Sequence, residues 1–214
     1  MTKPAKTGGL AGVVAGKTAL STVGKEGHTL TYRGYSIHDL AEKASFEEVA
    51  YLLLRGKLPD RSELSAYRQR LAGLRGLPEP LKAVLEQLPA AAHPMDVLRT
   101  GCSALGCLEP EPDFHAQLDV ADRLIAAFPS MLLYWHHCHT DGKRIDVATD
   151  EETTAGHFLH LLHGKRPDEL QRKAMDVSLI LYAEHEFNAS TFAARICAST
   201  RSEEHTSELQ SHSD

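Results

Sequence analysis

Residues 181–191 concentrate side chains that can bind a small polar molecule. Within their sequence, LYAEHEFNAST, residues 184–191 hold two carboxylates, a histidine, an amide and two hydroxyls, and an apolar helical run that begins at Val177 precedes them. Burying such groups without partners would cost about 1–3 kcal/mol each, so their density at the end of a core helix indicates a cleft. A network of satisfied structural hydrogen bonds is the alternative interpretation.

His185 and Asn188 are the candidate substrate-binding residues of this segment. An imidazole flanked by acids, here Glu184 and Glu186, can stay charged near neutral pH and donate from both ring nitrogens. Asn188 lies three residues later, so it can share a helix face with His185 or turn across a break. The pair suits a small molecule that carries a carboxylate or a carbonyl group.

A dense histidine cluster, HHCH at residues 136–139, raises the question of a metal site in a chain with 13 histidines. Adjacent side chains on a helix diverge by about 100°, so that only His136 and His139 can share a face. The cluster is better interpreted as the end of a helix before Gly142, where a protonated histidine suits the negative end of the helix dipole. A histidine-rich metal binder that uses His136 and His139 stays an alternative.

A second set, His157, His160 and His163, recurs every three residues. Because apolar residues are interleaved, a helix with a histidine-lined face near a charged partner is favoured over a zinc site. No CxxC, HExxH or phosphate-binding glycine loop is present. We therefore assign no metal ligand.

The four cysteines show no disulfide pattern. Cys102 and Cys107 lie five residues apart on a predicted helix, do not face each other, and are expected to fill the core. With Cys138 and Cys197 they are interpreted as free thiols of a reducing cytosol, which predicts a cytoplasmic protein.

Composition excludes several classes of protein. The 214 residues are 42% hydrophobic and 24% charged, with a formal net charge of −6, which is typical of a globular protein. No basic stripe is present that could bind nucleic acid, and no apolar stretch approaches the roughly 20 residues that a membrane-spanning helix needs. The polar, glycine-rich first ten residues show no signal peptide.

Start and stop signals predict an all-α fold with a small β-like N-terminal segment. Ser45 with Glu48 and Asp60 with Glu63 form capping-box patterns, and we assign the same role to Thr149 with Glu152. Short strands are expected near residues 11–15 and 29–32. Helices are predicted over residues 36–44, 45–56, 60–74, 78–88, 93–105, 119–135, 149–163 and 168–185.

The last 14 residues differ from the rest. Residues 201–214, RSEEHTSELQSHSD, have no aliphatic periodicity and carry four acids and one base. The run resembles a translated sequencing adapter, so we expect a non-native tail and a natural protein that continues past Thr200. A disordered native tail is the alternative. The predicted organisation is a folded part over residues 1–200 followed by this tail.

Several collinear motifs resemble the citrate synthase family. The resemblance covers about residues 8–200 and rests on YAEHEFNAS (182–190), YRGY (32–35), FEEVA (46–50), GKLP (56–59) and AHPMDV (92–97). Two further runs are more similar to the 2-methylcitrate synthase branch than to plain citrate synthases, PMDVLRTG (94–101) and GHFLHLLHG (156–164).

The resemblance implies a multi-helical citrate-synthase-like large domain, here its N-terminal part, and a homodimeric enzyme. The implied reaction condenses propionyl-CoA with oxaloacetate and water to 2-methylcitrate and CoA, with acetyl-CoA a poorer substrate. It implies no cofactor, since acyl-CoA is a substrate, and no nucleic-acid or membrane partner. Plain citrate synthase is one alternative, and a non-catalytic helical interaction module is an alternative of another class.

The resemblance also assigns roles to single residues. The histidine matching His185 hydrogen-bonds the keto acid and orients it, and Asn188 matches the neighbouring amide. The aspartate base, the other two histidines and the arginines that bind the oxaloacetate carboxylates lie, in the family, beyond residue 200. No catalytic residue is therefore assigned, and residues 1–214 alone are expected to have no useful turnover.

Overall fold

A computed structural model of the chain describes residues 16–22 and 30–198, and the strand expected at 11–15 lies outside them. The described residues confirm a mostly helical fold with a small sheet. Residues 189–198 are also helical, and a 3-10 turn covers Phe114–Ala116. The main elements are β1 (Ser21–Thr22), β2 (Thr31–Tyr32), β3 (Tyr35–Ser36), α1 (Ile37–Lys43), α2 (Phe46–Arg55), α3 (Arg61–Gly73), α4 (Glu79–Gln87), α5 (Pro94–Leu108), α6 (Gln117–Thr140), α7 (Thr154–His163) and α8 (Glu169–Leu181).

The chain divides into two compact units. Among the described residues, one unit holds residues 16–22, 30–36 and 184–198, and the other holds residues 37–183. In the first unit β1, β2 and β3 form an antiparallel sheet in that order. Arg33 and Gly34 connect β2 to β3, and both have positive φ, 46° and 88°, as a two-residue hairpin turn requires.

Several predicted helix ends are confirmed in the helical unit. Ser45 and Glu48 form the expected capping box, in which the Glu48 carboxylate accepts a hydrogen bond from the Ser45 backbone N–H at 2.7 Å. The same helix, α2, ends at Gly56, whose φ of 87° places it in the left-handed region that glycine tolerates. Asp60 and Glu63 form a second complete capping box at the start of α3.

The predicted start of α7 at Thr149 is wrong. Thr153 caps this helix, since its hydroxyl accepts a hydrogen bond from the Gly156 backbone N–H at 3.0 Å. The buried Arg75 guanidinium donates to the Glu151 carbonyl at 2.6 Å. That carbonyl is thus held by a side chain from another part of the unit instead of starting a helix, and the helix begins later.

The predicted end of α8 near residue 185 is also wrong, because the helix stops at Leu181. The Ala183 backbone N–H bonds the Ile180 carbonyl at 3.2 Å, a three-residue spacing that tightens the chain at the helix end. Glu186 then has φ 50°, which a right-handed helix cannot contain.

The main core of the helical unit lies among α4, α5 and α6. Gly101 of α5 lets two helices approach closely, since a Cβ there would lie 2.9 Å from the Met131 sulfur of α6. Apolar side chains that are at least 98% buried fill the core: Leu81, Leu85, Val97, Leu105, Met131 and Tyr134.

A buried carboxylate joins three helices of the same unit. Asp122 of α6 is fully buried and accepts hydrogen bonds from Arg55 of α2 at 2.6 Å and from Arg70 of α3 at 2.8 Å. Its second oxygen accepts from the Tyr67 hydroxyl at 3.0 Å. The single carboxylate therefore satisfies donors from both neighbouring helices.

The four cysteines form no disulfide, as predicted, but the expected core position of Cys102 and Cys107 is only partly right. Cys102 is half-buried, whereas Cys107 is exposed. Val97, Gly101 and Leu105 follow one another at four-residue spacing on the core face of α5, and Cys107 falls outside that row.

Within residues 16–22 and 30–198, none of the helices has the length and apolar character needed to cross a lipid bilayer.

Candidate functional site

The predicted binding segment is a short irregular connection. Residues 182–188 separate the end of α8 from the helical residues 189–198, so that His185 and Asn188 do not share a helix face. Of the two arrangements that the sequence allowed, the turn across a break is the one observed. Both side chains are exposed.

The backbone of this connection is fixed on the small sheet of its own unit. The Tyr32 hydroxyl donates a hydrogen bond to the Glu184 carbonyl at 3.2 Å. Tyr32 is fully buried, and burial raises the pKa of its hydroxyl, which keeps it a hydrogen-bond donor. The Glu184 carboxylate in turn accepts from the Glu186 backbone N–H at 2.9 Å. His185 is thus carried by a turn that is held on both sides.

The side-chain oxygen of Asn188 is already bonded to a backbone N–H group. The Asn188 Oδ1 atom accepts from the Thr191 backbone N–H at 3.0 Å, and the Asn188 carbonyl accepts from the Phe192 N–H at 2.9 Å. This is the geometry of a residue that caps the N-terminus of a helix. The amide nitrogen is the part of the side chain that is left to donate to a ligand.

The His185 imidazole forms no hydrogen bond to another residue within the described ranges. The cleft that the sequence led us to expect around this side chain stays a prediction. What the structure gives is an exposed imidazole on an anchored turn, and its role as a ligand-binding group stays a prediction.

Phe187 and Arg195 add a second anchor to the same unit. The Arg195 guanidinium lies 4.7 Å from the centre of the Phe187 ring, a cation–π contact. A Cβ at Gly16 would stand 3.4 Å from that ring, which is ordinary contact distance. The Phe187 side chain, two residues after His185, thereby contacts the helical residues 189–198 and lies near Gly16.

The histidine cluster at 136–139 ends α6, as predicted, and its side chains point to different partners. His136 lies 3.5 Å from the Thr140 hydroxyl, whereas His139 lies 3.4 Å from the Leu85 carbonyl. Among the described residues, the group of possible metal ligands that converges lies elsewhere and includes neither His136 nor His139.

His157, His160 and His163 do not line one face. Three residues advance a helix by about 300°, which is about 60° short of a full turn. Each histidine is therefore rotated by about 60° from the one before it, and the three side chains point in different directions. His157 is fully buried between the Ser130 and Thr149 hydroxyls, at 3.1 and 2.9 Å, and burial lowers the pKa of its imidazole to about 3. Only His160 has the expected charged partner, since it contacts Glu151 at 3.2 Å, whereas His163 is exposed.

One group of possible cation ligands was missed by the sequence analysis. Ligand atoms of Asp150, Glu151 and His160 lie within 4.8 Å of one another. The Arg166 guanidinium contacts both carboxylates, at 2.5 Å to Asp150 and 3.2 Å to Glu151, and so supplies the positive charge itself. Both acids fell inside the helix predicted over residues 149–163, which in fact begins at Thr154, and this concealed their convergence with His160.

Comparisons with known proteins agree with the motifs. The sequence profile of the family described as "Citrate synthase, C-terminal domain" matches residues 9–208. The chain is 63% identical to the 2-methylcitrate synthase of Shewanella oneidensis over 92% of this chain and 53% of that protein. It is 41% identical to the citrate synthase of Mycolicibacterium smegmatis over 91% of this chain and 52% of that protein.

The fold agrees as well. A solved structure, the ternary complex of carboxymethyl coenzyme A and oxaloacetate with citrate synthase from Thermoplasma acidophilum, is similar with a TM-score of 0.80 and 28% identity. The similarity covers 88% of this chain and 50% of that one, so the chain spans about half the length of the relatives it matches. From the profile match, the sequence identities and the fold, the chain belongs to the citrate synthase family.

Proposed function

We propose that the protein to which this chain belongs condenses propionyl-CoA with oxaloacetate and water, giving 2-methylcitrate and CoA. In this reaction the α-carbon of the acyl group forms a bond to the keto carbon of oxaloacetate, and water cleaves the thioester. The observation that carries the proposal is the 63% identity to a relative named 2-methylcitrate synthase. Because the chain spans about half of that relative, the activity is proposed for the whole protein.

His185 is proposed to bind the keto acid, with Asn188 beside it. Oxaloacetate presents two carboxylates and a carbonyl oxygen, all of which accept hydrogen bonds. An imidazole that is not bonded to described residues can donate to such an acceptor, and the Asn188 amide nitrogen can do the same. Fixed donors of this kind orient a substrate for attack, and orientation recovers much of the entropy cost of joining two molecules.

The anchored backbone supports this role. Tyr32 holds the Glu184 carbonyl next to His185, and Asn188 begins a helix three residues further on. A donor aligns a substrate only if its own backbone is held, since a loose donor loses the advantage of pre-organisation. No catalytic base is assigned within the chain.

Condensation of acetyl-CoA to citrate is the second candidate, and the relative named citrate synthase favours it. The two acyl groups differ by one methylene, which a binding pocket discriminates by only about 1–3 kcal/mol. The whole protein is further proposed to be a homodimer that uses no metal or organic cofactor, with acyl-CoA as a substrate.

A fusion protein tests the proposal. Residues 1–198 are followed by the part of the Shewanella oneidensis 2-methylcitrate synthase that lies beyond its matching region, and CoA release is measured with oxaloacetate and either acyl-CoA. We expect CoA release, with kcat/KM higher for propionyl-CoA than for acetyl-CoA. The unfused chain serves as the control and should release no CoA. A folded fusion that condenses neither substrate would overturn the proposal, and a preference for acetyl-CoA would favour the second candidate.

A further inference from the structure

One imidazole in the helical unit bridges two helix ends. His137 lies in the last turn of α6, with its side chain only 14% exposed. Its Nδ1 atom is 2.6 Å from an Asp141 carboxylate oxygen, and its Nε2 atom is 2.8 Å from the backbone carbonyl of Leu161, in the last turn of α7. The ring therefore contacts the C-terminal turns of both helices.

Both partners of this ring can only accept hydrogen bonds. A backbone carbonyl has no proton to give, and the hydrogen bond to His137 lowers the pKa of Asp141, which keeps that carboxylate ionised. Each ring nitrogen must therefore donate. Imidazole carries two N–H groups only when it is protonated, so both hydrogen bonds can form together only in the imidazolium ion.

The position favours that positive charge. The C-terminus of a helix carries a partial negative charge from its unpaired carbonyls, and here the ends of α6 and α7 meet at the same ring. The Leu161 carbonyl belongs to the last four of α7, which have no partner within the helix. His137 thus satisfies a carbonyl that the helix itself leaves open.

Other charged groups surround the bridge. A cavity of about 500 Å³ beside it is lined by Lys143 and Asp146 of the connection and by His160 and His163 of α7. The His136 ring lies 5.2 Å from that of His137. Lysine and protonated histidines oppose the charge on His137, whereas the two aspartates favour it.

The polar side chains between α4 and the end of α6 have partners other than His137. Arg144 contacts Glu86 at 2.6 Å, and His139 faces the Leu85 carbonyl. The Asp141 carboxylate is therefore the acid in direct contact with the His137 ring.

We propose that His137 is a proton-dependent latch that fastens the C-terminal turns of α6 and α7 to each other. With the proton present, both hydrogen bonds form. When the proton leaves, the ring keeps one N–H, so one of the two contacts is lost and the connection between α6 and α7 is released at its start. The latch is independent of the proposed condensation, since it needs no residue of the first unit.

The latch is tested on the chain by nuclear magnetic resonance of the histidine ring nitrogens between pH 6 and pH 8.5. The signal of His137 is assigned by its loss in the His137→Gln variant. We expect two protonated ring nitrogens at the lower pH and one at the higher. Amide hydrogen exchange is followed in parallel at Asp141, Lys143 and Gly164, whose N–H groups bond carbonyls of the two final turns. After correction for intrinsic rates, exchange should become about tenfold faster as the proton leaves.

The His163→Gln variant is the matched control, because His163 is an exposed histidine that lines the same cavity. It should keep the pH-dependent exchange of the wild-type chain, whereas His137→Gln should lose it. The latch is refuted if His137 carries one proton at pH 6, or if it titrates while exchange at the three amides stays unchanged. If His137→Gln does not fold, the wild-type readouts still decide, with the ring signal assigned from the backbone.

Discussion

Glu47 of α2 caps a helix that begins 107 residues later, since its carboxylate accepts a hydrogen bond from the Thr154 backbone N–H at 2.7 Å. Glu47 is 1% exposed, and its second carboxylate oxygen has no hydrogen-bond partner among the described residues. The Arg68 Nε atom lies 4.0 Å from that oxygen. One side chain therefore both stabilises α7 and carries an incompletely solvated charge.

Replacing Glu47 separates these two effects. Glu47→Ala removes the cap and should lower the free energy of unfolding by about 1–3 kcal/mol. Glu47→Gln keeps an oxygen that can accept from Thr154 but removes the charge. Burial raises the pKa of Glu47, so its stabilising contribution is greatest at low pH and declines as pH rises from its ordinary value near 4.5 towards the raised one. Relative to Glu47→Gln, the wild-type chain should lose stability over that window, measured by urea unfolding. Parallel pH profiles of the two proteins would contradict this.

Asp122 should be among the most sensitive positions of the helical unit. Asp122→Asn removes the charge that pairs with Arg55 and Arg70, and Asp122→Ala also leaves the Tyr67 hydroxyl without its partner. We expect Asp122→Ala to cost about 2–4 kcal/mol of unfolding free energy. Asp119→Asn is the control, because Asp119 contacts the same Arg70 but is 73% exposed, and exposed pairs contribute about 0–1 kcal/mol. Equal losses in the two variants would show that burial does not decide the effect.

His157 should make the chain less stable in acid. Burial lowers the pKa of His157 to about 3, below the ordinary 6.5, so its contribution is fully present above pH 6.5 and is lost as pH falls towards the lowered value. The slope from this residue approaches about 1.4 kcal/mol per pH unit below pH 6.5. Denaturant unfolding from pH 7 to pH 5 should show this decline, and His157→Gln should remove it. His163→Gln should not, and a decline that persists in His157→Gln would assign it to another group.

Local signals predicted the helix ends that depend on neighbouring residues. The capping boxes of Ser45 and Asp60 and the left-handed Gly56 need only a few consecutive residues, which is why the pattern was sufficient. The start of α7 was missed because Arg75, 76 residues before Glu151, binds the Glu151 carbonyl, which a helix starting at Thr149 would use within itself. A contact between distant parts of the chain leaves no mark in the local pattern.

At the candidate site, too, the sequence predicted what depends on neighbouring residues and missed what depends on distant ones. The sequence located His185 and Asn188 and allowed a break between them, but apolar periodicity carried the predicted helix to about residue 185. The turn is fixed by Tyr32, 152 residues away from Glu184, and by the cap that Asn188 provides. The pairing of Asp150 and Glu151 with Arg166 was not visible either, because it depends on how the connection before α7 folds back.

The most direct test of the account is the dependence of condensation on His185. In the fusion with the second part of the Shewanella oneidensis enzyme, kcat/KM for oxaloacetate is measured for the wild-type sequence, for His185→Ala and for His163→Ala, which removes another exposed histidine. We predict that His185→Ala lowers kcat/KM by about 10²–10³-fold, the range found when a fixed hydrogen-bond donor is removed from an active site, and that His163→Ala leaves it unchanged. An unchanged kcat/KM in a folded His185→Ala protein would contradict the proposal that this imidazole binds the keto acid.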